Sequence, residues 1–460
     1  MSDINIKVIA NKSDIVAIAD AVRNKTGTTE EMTFGQIVNE INSIEAANYE
    51  YEDGLINGTI TEYTNDRVES IGNYAFYNCI SLTSVNFPVC TSIGGSAFYN
   101  CTSLTSISFP ECASIGGSAF QSCKSLTSVN FPVCTSIGGS AFYNCTSLTS
   151  VNFPVCTSIG GNAFYNCASL TSVNFPVCTT IGSSAFKFCK SLTDVDFPEC
   201  TSIGENAFAQ CSELTAANFP ACTSIGGQAF FQCAGVVAGG LAEANFPVCT
   251  TIGGTAFGQC YNLKSANFPN CKIVSYAAFT ACWSLTTINF PVCETISNYA
   301  FRSCSALTTA NFPNCTKVSD YAFQSCTSLT SVSLPACTTI GAYAFLACSS
   351  LTSVYLPVCT SIGGLAFRLC DSLMSVSLPA CAFIGSYAFQ SCYNLVSLYL
   401  TGSSVCTLSA SNAFASTPIG GYSTSAGKYG SIFVPASLLT TYQAATNWSY
   451  FADRFVIYDA

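Results

Sequence analysis

The 460-residue chain contains no histidine. That removes the commonest general base and the commonest metal ligand. No Cys-x-x-Cys pair occurs either, so no zinc-binding spacing is present. Charge is scarce, at 9% of residues, and the balance is −10. Phosphate recognition needs clustered Lys and Arg, so a nucleic-acid partner is excluded. No apolar run reaches the roughly 18 residues of a membrane-spanning helix, so membrane insertion is not expected. The opening Met1–Lys7 has no basic region followed by an apolar stretch. The expectation is therefore synthesis in the cytoplasm without a secretory signal. A phosphate-binding loop and a nucleophile–base pair are also missing, which points away from an enzyme and calls for no cofactor and no metal.

What the chain does have is repetition. An Ala-Phe pair places Phe76, Phe98, Phe120, Phe142, Phe164, Phe186, Phe208 and Phe230 at a spacing of 22, and after a five-residue insertion the series resumes from Phe257 to Phe389. The insertion lies within Ala234–Gly240 and is expected to bulge between two coils. Each unit contains Leu82-x-x-Val85-x-Phe87-x-x-Cys90 or its equivalent, which matches the leucine-rich pattern. Alternation turns Val85 and Phe87 inward on a short strand and Ser84 and Asn86 outward. The following proline lacks a backbone donor and ends the strand. Ile-Gly forms the next corner, and the Ser/Asn-Ala-Phe-x-x-Cys segment is read as one helical or 3₁₀ turn. No coil can bury its apolar face alone, so about fifteen coils stack into a solenoid with parallel strands on one face and turns or short 3₁₀/helical segments on the other. The reading divides the chain into a helical hairpin at 1–50 (attachment or cap), a linker and lead-in at 51–67, the solenoid at 68–415, and an α+β cap at 416–460. Within the last, residues 431–435 read as a strand, 436–445 as a helix and 455–458 as a strand.

The recurring Ile-Gly-x-x-Ala-Phe-x-x-Cys-x-x-Leu-x-x-Val-x-Phe-Pro resembles the BspA-like, Treponema-type leucine-rich repeats over about residues 68–415. Members of that family are often surface proteins that bind host or bacterial surfaces. This chain departs from the family pattern in placing Cys where an aliphatic residue is frequent after the Pro. The segment Asp14–Gly27, followed by Met32-Thr33-Phe34, is similar to the head segment of phage tail-associated proteins. That likeness implies attachment to other virion proteins through residues 1–50.

The thirty cysteines fall into two columns, one running from Cys79 and one from Cys90. Half a coil separates the columns, too far for the Cα distance of about 4.4–6.8 Å that a disulfide needs. They are read as buried thiols acting as small apolar residues. Asp194 and Asp196 are an outward carboxylate pair, read as a solvated face in place of the usual Ser and Asn. The Asn column Asn86, Asn130, Asn152, Asn174 and onward is expected to bond to itself. The turn face is the candidate binding surface. It carries Tyr77, Tyr99, Tyr143, Tyr165, Phe231, Arg302 and Arg368 after the Ala-Phe pair, with Tyr299, Tyr321, Tyr343 and Tyr387 just before it. Exposed aromatics and arginines on a rigid frame suit recognition, including stacking on sugar rings. The alternative is that each ring only shields the coil before it. The expected function is thus non-enzymatic binding of a bacterial surface glycan or protein by a phage-associated chain, found in a virion or on a cell surface after lysis. A bacterial adhesin and a ligand-free structural spacer are the alternatives.

Overall fold

The computed structural model describes residues 60–235, 239–421 and 429–458. The hairpin expected at 1–50 lies outside them. The chain forms two compact units, Met1–Phe175 and Pro176–Ala460. Each is a parallel β-solenoid.

In the first unit the strands Ser84–Asn86 and Ser106–Ser108 pair in parallel register, with Val85 opposite Ile107. Ser128–Asn130, Ser150–Asn152 and Ser172–Asn174 repeat the arrangement. The valine of each strand faces inward between outward Ser and Asn, as the alternation requires. The asparagines bond coil to coil. Asn152 Nδ2 donates to Asn130 Oδ1 at 2.7 Å, and in the second unit Asn267 donates to Asn245 at 2.8 Å.

A second run of strands was not expected from the sequence. The two-residue strands Ser92–Ile93, Ser114–Ile115 and Ser136–Ile137 pair in parallel where a corner was read. The glycine after each Ile has a different role from a turn glycine. A Cβ on Gly116 would lie 2.6 Å from the backbone of Gly94 and Gly95 in the preceding coil. In these coils it is close approach that favours glycine, whereas Ser275, Ser297 and Ser319 take the same place in the second unit. Gly116→Ala should therefore lower stability by roughly 1–3 kcal/mol, since backbone cannot give way as a side chain can. Urea unfolding of this variant checks it, and an unchanged midpoint would remove the packing argument.

The Ala-Phe segment also differs in detail from the sequence reading. In most coils it forms consecutive turns, and a 3₁₀ helix occurs at Ser411–Phe414. Each such turn holds two residues in the left-handed region, for example Ser96 (φ 54°) and Asn100 (φ 58°). Both places donate their N–H to the next coil, Ser96 to Gly117 O at 2.8 Å and Asn100 to Gln121 O at 2.7 Å. These bonds offset the steric cost of a Cβ at positive φ.

The core is two columns of phenylalanine. Phe98 stacks on Phe120 with centroids 5.1 Å apart, and Phe109 meets both Phe98 and Phe120 edge-on. Face-to-face stacking is not the preferred aromatic geometry. The rise of one strand per coil imposes it within a column, and the edge contacts join one column to the other. From Leu334 the strand-side place is taken by Leu334, Leu356, Leu378 and Leu400, all buried.

At the insertion, Ala234 and Gly240 form an antiparallel bridge and Gly235 N–H donates to Gly239 O at 3.1 Å. The ends of the extra segment are thus pinched together, and Leu241 resumes the buried leucine place. At the C-terminal end Ser431–Val434 pairs with Ser397–Tyr399, and Phe455–Ile457 pairs with Ser431–Val434. Between them lie a short 3₁₀ turn, Ala436–Leu438, and the helix Leu439–Ala444. Trp448 is wholly buried there and donates its indole N–H to Cys406 O at 2.6 Å. Among the described residues no helix is long and apolar enough to cross a membrane.

Candidate binding surface

The turn that presents the candidate residues is built the same way in every coil. The residue two before each Phe is left-handed, and the residue one after it closes a turn onto the carbonyl of the first, as when Arg302 N–H donates to Tyr299 O at 3.1 Å. The two sequence places therefore share one edge. In the second unit they build a ladder of rings. Tyr299 stacks on Tyr321 at 4.8 Å and Tyr321 on Tyr343 at 4.5 Å, nearly parallel in both cases. Tyr276 meets Tyr299 edge-on at 5.7 Å, and the Arg302 guanidinium lies 5.7 Å over the Tyr299 ring. Tyr299, Tyr321 and Tyr343 sit at φ 61°, 59° and 58°, which holds their Cα–Cβ directions alike. The fifteen coils from Phe76 to Phe389 are all left-handed at this place, so the strain belongs to the fold and not to the tyrosines.

The ladder corrects one expectation about how these rings act. Within the stack both faces of Tyr321 are covered by its neighbours, so what it leaves for a ligand is the ring edge and the hydroxyl. A sugar cannot lie flat on Tyr321. The Tyr321 hydroxyl is pushed up from its usual range by desolvation and by the facing Tyr343 hydroxyl. Tyr321 therefore presents a neutral phenol able to donate and accept.

The other predicted residues are distributed as follows. In the first unit Tyr77 stacks on Tyr99 at 4.9 Å and Tyr143 on Tyr165 at 4.7 Å, with the coil of Gln121 between the pairs. Tyr74 touches Tyr77 edge-on. In the second unit the Phe231 ring lies against Gly258, where an added Cβ would meet it at 3.3 Å. Leu365 separates Tyr387 from Tyr343 in their column. Arg368, in the same turn as Leu365, has its Nε buried without a hydrogen-bond partner.

Two features were missed from the sequence. Asn100 bonds Asn78, and Asn166 bonds Asn144, forming a second asparagine column on the turn side. Trp283 is half-exposed and stacks on Tyr261 at 4.1 Å. The available signal was its place in the repeat, where most coils carry a small residue.

The cysteines do more than fill space. All thirty are buried and free. In one column each thiol reaches a phenylalanine carbonyl of the preceding coil, as Cys101 donates to Phe76 O at 3.0 Å. In the other it donates two residues ahead, as Cys90 does to Ser92 O at 3.2 Å. Burial pushes the Cys112, Cys145, Cys260 and Cys326 thiols up to about 12. Such thiols are not nucleophiles at neutral pH. Cys381 is held below the ordinary thiol range by accepting from Cys406 Sγ at 3.3 Å. Among the described residues no group of His, Cys, Asp or Glu could hold a metal ion.

A family model described as the BspA type leucine rich repeat region (6 copies) matches residues 42–155, 113–237, 240–336 and 316–426. No curated protein matches the chain by sequence. Among solved structures, a leucine-rich repeat protein from Bacteroides ovatus is 25% identical, covering 75% of this chain and 91% of its own, with a TM-score of 0.55. A leucine rich cell surface protein from Faecalibacterium prausnitzii is 23% identical, covering 75% of this chain and 88% of its own, at a TM-score of 0.34. The T. pallidum leucine rich repeat protein is 24% identical over 44% of this chain and 78% of its own, at 0.30.

Proposed function

The chain belongs to the BspA-type leucine-rich repeat family, and from that membership we propose a non-enzymatic binding protein that contacts a bacterial surface glycan or protein. Repeat proteins of this kind are binding scaffolds. The contact in this reading is the edge of the second unit formed by Tyr299, Tyr321 and Tyr343 with Arg302. The observation that carries it is the stack itself: three phenols follow one another at one coil's spacing, with the Arg302 guanidinium over the first ring, on turns tied by backbone hydrogen bonds. Tyrosine, with two side-chain torsions, loses little conformational entropy on binding, and tyrosine and arginine are both enriched among the residues that dominate interface energetics. Tyr77 with Tyr99, and Tyr143 with Tyr165, offer the same chemistry in the first unit.

The test is binding to bacterial cells and immobilised cell-wall material. Tyr321→Ala and Tyr343→Ala should each weaken binding about tenfold or more, as expected of residues at an interface centre. Alanine is tolerated at this place, because Ala277 occupies it at φ 52°. Tyr321→Phe keeps the stack and removes the hydroxyl, so an intermediate loss is expected. Binding equal to the parent in all three would leave the rings as shields of the coil beneath. In the same reading residues 1–50 attach the chain to a virion, on the likeness of Asp14–Gly27 to tail-associated proteins. Copurification with phage particles in fixed ratio supports that attachment. Recovery from bacterial surfaces without particles replaces it with an adhesin.

A further inference from the structure

The chain has two tryptophans, and they are used in opposite ways. Trp448 is wholly buried in the C-terminal cap, whereas Trp283 is 51% exposed. An indole left half in water forgoes apolar burial that the core could have supplied. Trp283 lies on the turn directly after Cys282, in the second unit. The Tyr261 ring from the preceding coil covers one indole face, with centroids 4.1 Å apart and planes 16° apart. The turns are tied coil to coil, since Ser284 N–H donates to Tyr261 O and Ala306 N–H to Trp283 O, both at 3.1 Å. Indole position and tilt are therefore set before any ligand arrives.

The second indole face looks along the solenoid towards the next coil. The residue there is Ser305, followed in later coils by Thr327 and Ser349. Ser305 is too short to cover an indole, and its hydroxyl turns back to Trp283 O at 3.3 Å. The stack that begins Tyr261–Trp283 thus stops with an open slot one coil deep. Successive coils rise by about 4.8 Å, which is close to the separation at which a flat ring packs on an aromatic face. Beyond the slot the floor is hydroxyl-bearing. Ser349 Oγ donates to Thr327 O at 3.4 Å, so its remaining lone pairs are free to accept. No charged side chain occupies the column until Asp371. Arg302, the nearest cation in sequence, lies over Tyr299.

We infer that Trp283 and the hydroxyl column of Ser305, Thr327 and Ser349 form a track for a linear, uncharged polysaccharide. One pyranose ring fills the slot against the free indole face, in the position of the next aromatic of the stack, and the following sugars run along the hydroxyls. An anionic glycan would find no cation in the column. An apolar protein side chain would find hydroxyls where it needs apolar walls. This track is separate from the tyrosine ladder, so either can fail without the other.

The test uses the full chain in native gels containing laminarin, dextran or hydroxyethylcellulose, with alginate as the anionic comparison. The parent should be retarded by at least one of the three neutral polymers and not by alginate. Its tryptophan emission should shift on titration with the retarding polymer, a change that reports Trp283 because Trp448 is buried. Trp283→Ala should lose at least ten-fold in apparent affinity. Ser305→Tyr, which fills the slot and empties nothing, should lose as much. Tyr321→Ala should be retarded like the parent. Retardation by alginate alone, by none of the three neutral polymers, or equally by parent and Ser305→Tyr would overturn the inference.

Discussion

Raising the pH from 9 to 10 should bring this protein to the edge of unfolding, and pH 11 should complete it. The buried thiols are the cause. Cys112, Cys145, Cys260 and Cys326 are pushed up to about 12 by burial, and Cys134, Cys222 and Cys315 stand at about 12 as well. In the unfolded chain the same groups ionise near the ordinary thiol value of 9.0. A group whose native pKa lies above its unfolded value favours the folded state fully below the unfolded pKa. It withdraws that support as pH climbs from the unfolded towards the native value. Between pH 9 and 10 each such thiol takes away roughly 1 kcal/mol, and the loss approaches about 1.4 kcal/mol for each further unit. Seven of them together reach the roughly 5–15 kcal/mol that holds an ordinary domain folded. Circular dichroism followed from pH 8 to 11, alongside thiolate absorbance, checks this. The two signals should move together. Thiolate beyond that of the lowered Cys381 and Cys79, appearing near pH 9 with the fold intact, would mean that the other thiols are not sealed in the core. At pH 8 a thiol reagent should find few of the thirty in the native protein and all of them in denaturant, with Cys79 and Cys381, both lowered by a neighbouring thiol, the first to react.

Phe301→Ala should cost about 3–5 kcal/mol, the range for emptying a large aromatic from a packed core. Phe301 is fully buried and is stacked between Phe279 at 5.4 Å and Phe323 at 5.2 Å. It also meets Phe290 and Phe312 in the other column, at 6.1 and 5.9 Å. A coil contacts only its neighbours, so the cavity weakens two interfaces at once. The unfolding midpoint in urea should fall sharply and the transition should become shallower as the two sides of the gap melt apart. A loss below about 1 kcal/mol would show that neighbouring rings slide in to fill the space, against the close packing on which the cost rests.

The contrast between residues read well and residues read poorly has a physical basis. Phe301, Cys304 and Leu307 were assigned to the core because identical spacing makes each coil's inward set the next coil's partner. The strand at Ser84–Asn86 was visible through its alternation. The strand at Ser92–Ile93 was not, because two residues carry no period. The short 3₁₀ turn expected at each Ala-Phe became a double left-handed turn, since both N–H groups find carbonyls in the next coil, and those partners lie 21 residues away. Tyr321 and Tyr343 were read as exposed rings, yet each stacks on a neighbour one coil away. Trp283 went unnoticed because its importance depends on what Ser305 fails to cover.

The amino-acid sequence by itself determined the repeat length, the inward set of Phe, Leu, Ile and Cys, the parallel stacking and the family, because all of these follow from periodicity and from one coil's inability to bury its own apolar face. Only the tertiary structure decided which surface groups are usable. Stacking at one strand's spacing covers both faces of Tyr321, leaves one indole face bare and sends the thiol protons of one cysteine column to carbonyls of the preceding coil. Each of those outcomes is a relation between residues in neighbouring coils, and no single coil contains it.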